Sequence, residues 1–347
     1  MKAVIFHEHG SPDVLQYVTD FPKPKVGPSQ ILIEVKAVAL NHLDLFTRAG
    51  IPGLTLKMPH VLGSDISGVV AEIGVDAMGD IEVGARVIID PGVSCGVCEY
   101  CVSGQDSLCS TYGILGEHYS GGYREFMAVD ARKVIPIPGK SKLSFEEAAA
   151  IPLTFMTAWR MLITRARLRA GEDVLIIGIG GGVAVAALQI AKMAGARIFV
   201  TSSSNDKLEK ARRLGADFLI NHLESPDYHR EIWKLTGKRG VDVVVDSVGE
   251  ATWARSLRSL NKGGRLVTCG ATSGPNAVTS LNLLFWKQLE IIGSTMASRS
   301  ELESVLRLVW TGKLMPVVDR VLPLSSAKEA HEILEHGAQF GKIVLIP

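Results

Sequence analysis

The sequence predicts an α/β protein in two parts, an antiparallel β domain and a doubly wound parallel sheet, and three observations carry that reading. Ile31, Ile33 and Val35 alternate with Leu32, Glu34 and Lys36 at the period of two expected of a strand. Beyond Gly171, short apolar runs instead alternate with amphipathic helical stretches, the pattern of a parallel sheet covered on both faces. The length, 347 residues, suits about two domains of roughly 150 residues each.

Taken in order, further short strands are expected at 68–73 and 86–89, separated by Gly and Pro turns. Ser144 with Glu147 forms a capping-box pattern opening a helix over 145–150; Pro152 interrupts before a second helix at 155–162. The parallel part then reads as strand 174–177, helix 183–194 closed by Gly195, strand 197–201 and helix 206–214 closed by Gly215. Strands at 241–246, 265–270 and 290–294 continue it, and a helix at 301–310, a Pro-punctuated segment and a strand at 342–346 end the chain. These boundaries give a first domain of residues 1–154 with 296–347, and a second of 155–295.

Charge is balanced, 37 Lys+Arg against 36 Asp+Glu, so nothing electrostatic points to a nucleic acid or an anionic membrane as partner. The N-terminus lacks the long apolar region of a secretory signal. Val174–Ala191 is uncharged for 18 residues, but glycines at 178, 180, 181 and 182 break it, so a strand, turn and buried helix are expected rather than a membrane span. Four of the five cysteines, Cys95, Cys98, Cys101 and Cys109, fall within 15 residues. That is too local for a disulfide framework and implies reduced thiolates in a cytoplasmic protein. Four sulfurs on a compact loop suit a tetrahedral Zn²⁺ with no open position, hence one structural metal; an iron–sulfur cluster or metal-free thiols are the alternatives. Cys269 ends an expected buried strand and reads as an inert core thiol.

The turn Gly178-Ile179-Gly180-Gly181-Gly182-Val183-Ala184 follows a strand and opens a helix. Its glycines admit a pyrophosphate to the backbone, and the helix N-terminus offers free N–H groups. The end of the next strand carries Thr201, Ser202, Ser203 and Ser204, with no carboxylate before Asp206 and with Lys207 following. Hydroxyls and one lysine suit a 2′-phosphate, so NADPH is expected over NADH; a plain serine helix cap is the alternative.

With these residues the chain resembles the medium-chain dehydrogenase/reductase superfamily, which contains zinc alcohol dehydrogenases and quinone or enone reductases. The likeness runs the whole length. It includes the four-cysteine lobe, the segment Gly121-Gly122-Tyr123-Arg124-Glu125-Phe126 and the ending Gly341-Lys342-Ile343-Val344-Leu345-Ile346-Pro347. It implies a GroES-like β domain beside a Rossmann domain, hydride transfer to or from a nicotinamide, and a homodimer or homotetramer. It also places Thr157, Cys269-Gly270-Ala271 and Ser294-Thr295-Met296 along the nicotinamide, and Lys342 near the phosphates. The catalytic-zinc positions of the alcohol dehydrogenases correspond here to Asn41, Ser64 and Leu153, and Leu43 replaces the proton-relaying hydroxyl.

An amide, a hydroxyl and an isobutyl group are poor zinc ligands. Asn41 with Asp44 instead resembles the Asn-x-x-Asp of zinc-free quinone and enone reductases. A conjugated acceptor delocalises charge onto an oxygen that one or two donors can hold. Candidate donors or acids are Asn41, Ser64, His42 and His118; His42 also matches a phosphate-contacting position, and Asp44 and Asp65 match supporting hydrogen-bond acceptors. Phe46, Ile51 and Leu153 fit an apolar pocket. The expected activity is NADPH-dependent reduction of a small quinone or α,β-unsaturated carbonyl. The alternatives are an alcohol or aldehyde dehydrogenase with an atypical metal on His42, Asp44 or Asp65, and a non-catalytic NADPH-binding protein.

Overall fold

The computed structural model describes all 347 residues, in two compact units. The first comprises Met1–Leu153, Ser298–Trp310 and Met315–Pro347; the second comprises Thr154–Ala297 and Thr311–Leu314.

In the first unit the long strand Gln30–Ala39 organises a seven-stranded sheet. It pairs antiparallel with Asp65–Ile73 on one side and with Lys342–Ile346 and Phe126–Asp130 along the other. Ile31, Ile33 and Val35 enter the main core, as alternation requires, but after Val35 the parity changes. Val38 and Leu40 then face that core, whereas Ala37 and Ala39 pack against Ala149 and Val344. The register shift between Val35 and Ala37 is the cause: one extra residue in the pairing turns every later side chain to the opposite face. A fully buried Ile or Leu contributes about 1.5–3 kcal/mol, so the face reversal is held firmly.

Two local expectations meet different outcomes. Pro152 does not interrupt a helix but begins one, Pro152–Trp159, where its missing N–H is no loss; a wider helical turn, Arg160–Arg165, continues it. The Pro-punctuated segment near the end contains the strand Val318–Pro323, paired parallel with Lys342–Ile346. The first unit's sheet is therefore mixed rather than wholly antiparallel. Ser144 does cap the helix Phe145–Ala149, its Oγ accepting from Glu147 N–H at 3.2 Å while Glu147 accepts from Ser144 N–H at 2.9 Å.

The second unit is a six-stranded, all-parallel sheet. In spatial order its strands are Phe218–Asn221, Arg197–Ser202, Asp173–Ile176, Val241–Val245, Leu260–Thr268 and Glu290–Gly293. The chain thus starts in the middle, builds outward to one edge, then crosses to build the other. The resulting switch point lies at the carboxyl end of Asp173–Ile176, where such sheets bind ligands. The uncharged stretch at 174–191 divides between that strand, the glycine turn and the helix Gly182–Met193. No helix of the chain is long and apolar enough to cross a membrane. The strand Phe218–Asn221 and the helices Tyr228–Leu235, Trp253–Ser259, Leu281–Lys287 and Ala327–Glu335 add to the expected elements.

Candidate functional site

The cysteine lobe gathers four sulfurs within 4.8 Å of one another. Cys98 and Cys101 Sγ are 3.5 Å apart, and Cys95 and Cys101 Sγ 3.8 Å. A tetrahedron with Zn–S bonds near 2.3 Å has edges of roughly 3.8 Å, so the cluster is of the right size for one zinc. Backbone N–H groups already stabilise thiolate: Cys95 N–H points at Cys109 Sγ, and that contact, followed by those from Thr111, holds the Cys109 thiol down at about 6. The residues fit a structural metal, and all four positions are filled by protein.

The glycine turn stands at the switch point. Gly178 and Gly180 have φ of +70° and +138°, conformations closed to most L-residues, and Gly178 N–H donates to Thr201 Oγ1 at 3.1 Å. Gly181 differs: its backbone is ordinary (φ −72°), and a Cβ there would meet no protein atom within 4 Å. The fold does not need that glycine; a ligand lying against the backbone would. Gly182 and Val183 begin the helix whose first N–H groups face the same turn. Thr157 Oγ1 and Ser294 Oγ are buried with no hydrogen-bond partner, and Met296, close by in sequence, holds a left-handed φ of +47°. Unpaired buried hydroxyls and a strained backbone are what a ligand's amide would satisfy and stabilise. Gly270, Ala271 and Thr295 lie on partly or fully open loops after their strands, and burial pushes the Cys269 thiol up to about 12, consistent with an unreactive sulfur.

At the carboxyl end of the strand Arg197–Ser202, Ser203 is exposed, whereas Ser202 Oγ accepts from Ser204 N–H and Ser204 Oγ caps the helix Asn205–Leu214 through Lys207 N–H. Sequence reasoning missed a carboxylate here. Glu224 Oε1 accepts from both Asn205 and Asn221 side-chain amides at 3.0 Å, so an acid 19 residues downstream is brought to the start of that helix.

The positions of the first unit converge most tightly. Asn41 directly precedes the helix His42–Ala49. Asp44, in its first turn, accepts from Asn41 N–H (2.7 Å) and Gly63 N–H (2.9 Å). Gly63 is obligatory, with φ +97° and a would-be Cβ only 2.5 Å from the Tyr123 ring. Burial pushes the Asp44 carboxyl up to about 7. Asp65 is fully buried; Oδ1 accepts from Leu153 N–H at 2.7 Å and Oδ2 from Asn41 Nδ2 at 3.0 Å. Ser64 Oγ is buried and unpartnered. His42 is half-buried with its pKa lowered, first by burial and then by the Lys342 charge.

Lys342 has a buried ammonium: Nζ donates to Asn41 Oδ1 at 2.6 Å and to Asp65 Oδ2 at 2.8 Å, with the side chain 3% exposed. The signal for this was register. Val344 pairs with Ala39 and Leu345 with Val38, so two residues further along Lys342 faces Asn41, while Ala39 pairs on its other side with Asp65. His118, by contrast, lies on an exposed loop, its Nδ1 accepting from Ile114 N–H at 3.2 Å.

The comparisons agree with this architecture. Residues 27–139 match the alcohol dehydrogenase GroES-like domain family and residues 182–311 the zinc-binding dehydrogenase family. An NAD-dependent alcohol dehydrogenase of Sulfolobus acidocaldarius is 34% identical over 99% of both chains, and a human quinone oxidoreductase is 30% identical over 100% of this chain and 98% of its own. A crystal structure of an NAD-dependent alcohol dehydrogenase superposes with a TM-score of 0.95, at 46% identity over the whole of both chains. Sequence, sheet order and these likenesses together identify the chain as an oxidoreductase of the medium-chain dehydrogenase/reductase superfamily, with a GroES-like domain and a Rossmann domain.

Proposed function

We propose that this oxidoreductase reduces a small quinone or α,β-unsaturated carbonyl with a nicotinamide hydride, holding one structural zinc and using no catalytic metal. The observation that carries the reading is the donor set at Asn41, Ser64 and Leu153. Asn41 Oδ1 already accepts from an ammonium, Ser64 offers a neutral hydroxyl and Leu153 no donor at all, while both Asp65 oxygens are occupied by N–H groups. Such a set does not fit a tightly held zinc. The name of the human relative, quinone oxidoreductase, agrees with the reading.

The bound nicotinamide supplies a hydride. The chain's part is to hold it: the Gly178–Val183 backbone receives the pyrophosphate, and Thr157, Ser294 and the loops at 269–271 and 294–296 orient the ring. Ser202, Ser203 and Lys207 favour NADPH; Glu224 is the counterweight, since a carboxylate repels a 2′-phosphate. Fluorescence titration with both nucleotides is expected to give the lower Kd for NADPH, and an equal or lower Kd for NADH would reverse the preference.

Alcohol oxidation is the second reading, favoured by the names of the archaeal relative and of the superposed structure. Metal analysis with an acceptor screen separates the two. The reductase should carry about one zinc per chain and keep its enone or quinone activity after mild chelation. Two zincs with alcohol oxidation restored by added metal would establish the alternative. A homodimer or homotetramer is the expected assembly. The edge strand Glu290–Gly293 has an open side, Ile291 is 38% exposed, and Phe285 and Trp286 of the neighbouring helix are 64% and 74% exposed. Light scattering on the purified protein tests it.

A further inference from the structure

The short strands Gly92–Val93 and Gly113–Ile114 pair at the base of the cysteine lobe, and between them the chain exposes Val97, Val102 and Leu108. With these apolar side chains in water rather than in a core, the lobe depends on its sulfurs for order. It is nevertheless tied to a distant part of the first unit. Asp106, which opens the tight turn Asp106–Leu108, accepts at Oδ2 from the backbone N–H of Arg299, 193 residues on, at 3.0 Å.

That N–H is the first of the helix Arg299–Trp310, and no carbonyl of the helix itself can accept it. The helix carries a cap of its own. Ser298 Oγ accepts from Glu301 N–H at 3.3 Å, and Glu301 Oε2 accepts from Ser298 N–H at 2.7 Å. This pair satisfies Glu301 and Ser298 but leaves the Arg299 N–H to the lobe. The Arg299 side chain is held from outside the lobe: Nη1 donates to Arg132 O at 2.7 Å and stands 3.9 Å from Asp90 Oδ2. The helix therefore keeps its anchor when the lobe loosens, and what the lobe controls is the cap.

Asp106 is joined to the metal site by one turn of chain. Cys109 N–H donates to Asp106 C=O at 3.0 Å and closes that turn, while Cys109 Sγ takes Cys95 N–H at 3.5 Å. With a metal on the four sulfurs, Cys109 is fixed against its three partners, the turn stays closed and the Asp106 carboxylate stays aimed at Arg299. Without one, thiolates within 4.8 Å of one another repel and the exposed turn opens.

We infer that Asp106 is a metal-dependent latch: zinc on the four cysteines closes the turn Asp106–Leu108, and that turn caps the helix Arg299–Trp310. The inference rests on the reading of the lobe as a zinc site and is independent of the substrate. Metal loading and the order of the helix's first turn are one coupled equilibrium, and such coupling is reciprocal. By whatever factor zinc favours the capped helix, the capped helix favours zinc. Ser298 is the residue at which the chain re-enters the first unit after Ala297, so the metal orders the point of return.

Hydrogen exchange on zinc-loaded and zinc-depleted protein tests the latch, read at residues 299–303, with the strand Asp173–Ile176 of the second unit as a monitor of global unfolding. Zinc should protect residues 299–303 by about fivefold or more, the lower end of common couplings, with the monitor strand unchanged. Asp106→Ala should still take up about one zinc per chain, since four sulfurs complete the site, yet exchange at 299–303 like the zinc-depleted wild type. Competition with a chromogenic chelator should show its zinc Kd raised by the same factor, a change that a merely structural aspartate would not produce. Asp106→Asn keeps a neutral acceptor oxygen and should fall between. Full protection at 299–303 in zinc-loaded Asp106→Ala, or an unchanged zinc Kd, would overturn the inference, and both readings stand even where the depleted protein unfolds as a whole. A wild type that takes up no zinc overturns the metal reading and this inference together; zinc uptake with a helix cap indifferent to Asp106 overturns this inference alone.

Discussion

Two regions of the first unit solve the same electrostatic problem in opposite ways. The Cys95–Cys109 lobe gathers four sulfurs from one short stretch of chain and leaves the cation to be supplied from outside. The centre at Asn41, Asp65 and Lys342 gathers its groups from positions up to 301 residues apart and brings its own cation. A local cluster on an exposed loop has little core to hold it and draws its order from the metal. The sheet centre is ordered by strand pairing and buried apolar side chains, so it can carry a fixed charge whose cost the surrounding fold offsets.

The comparison breaks most visibly at the lobe. Cys109→Ser is expected to take zinc from about one per chain to near zero and to cause the largest loss of thermal stability, read by metal analysis and calorimetry. At the centre, Asp65→Asn leaves the Lys342 ammonium without its counter-charge, and about 3–5 kcal/mol of unfolding free energy should be lost in denaturant titrations. The double variant Asp65→Asn/Lys342→Met should recover much of that loss, because no unpaired charge remains.

Another buried cation sharpens the contrast. Arg48 donates to His331 Nδ1 at 2.9 Å and pairs with Glu335, while His331 Nε2 meets the Tyr123 hydroxyl at 3.2 Å. Burial, then the Arg48 charge, depresses His331 to about 3. The unfolded chain therefore takes up a proton that the folded chain refuses between pH about 6.5 and 3. The stability due to neutral His331 is fully present above 6.5 and declines as pH falls through that window, by at most about 1.4 kcal/mol per pH unit. His331→Gln should flatten this slope in acid unfolding curves. The smallest stability change is expected at Gly181→Ala, under about 1 kcal/mol since its Cβ meets open space, yet nucleotide binding should weaken markedly. A large loss of stability with unchanged binding would contradict the assignment of that turn.

The contrast also explains what could be read from the chain. The lobe was legible because its ligands are close in sequence and thiolate chemistry is specific. The glycine turn was legible because strand, turn and helix follow one another directly. Glu224 was not, because it reaches the helix at Asn205 through the pairing of Arg197–Ser202 with Phe218–Asn221. The reversal of facing after Val35 was equally hidden, since a shift in pairing leaves no mark on the alternation of residue types.

By itself, then, the sequence determined the alternation of elements, the cluster of four cysteines, the glycine turn between strand and helix, and the residue types at Asn41, Ser64 and Leu153. Each is a property of neighbours along the chain. Only the tertiary structure decided that Lys342 joins Asn41 and Asp65. Antiparallel register brings residues from distant parts of the chain face to face, and a buried ammonium stays only where the surrounding strands hold acceptors for it.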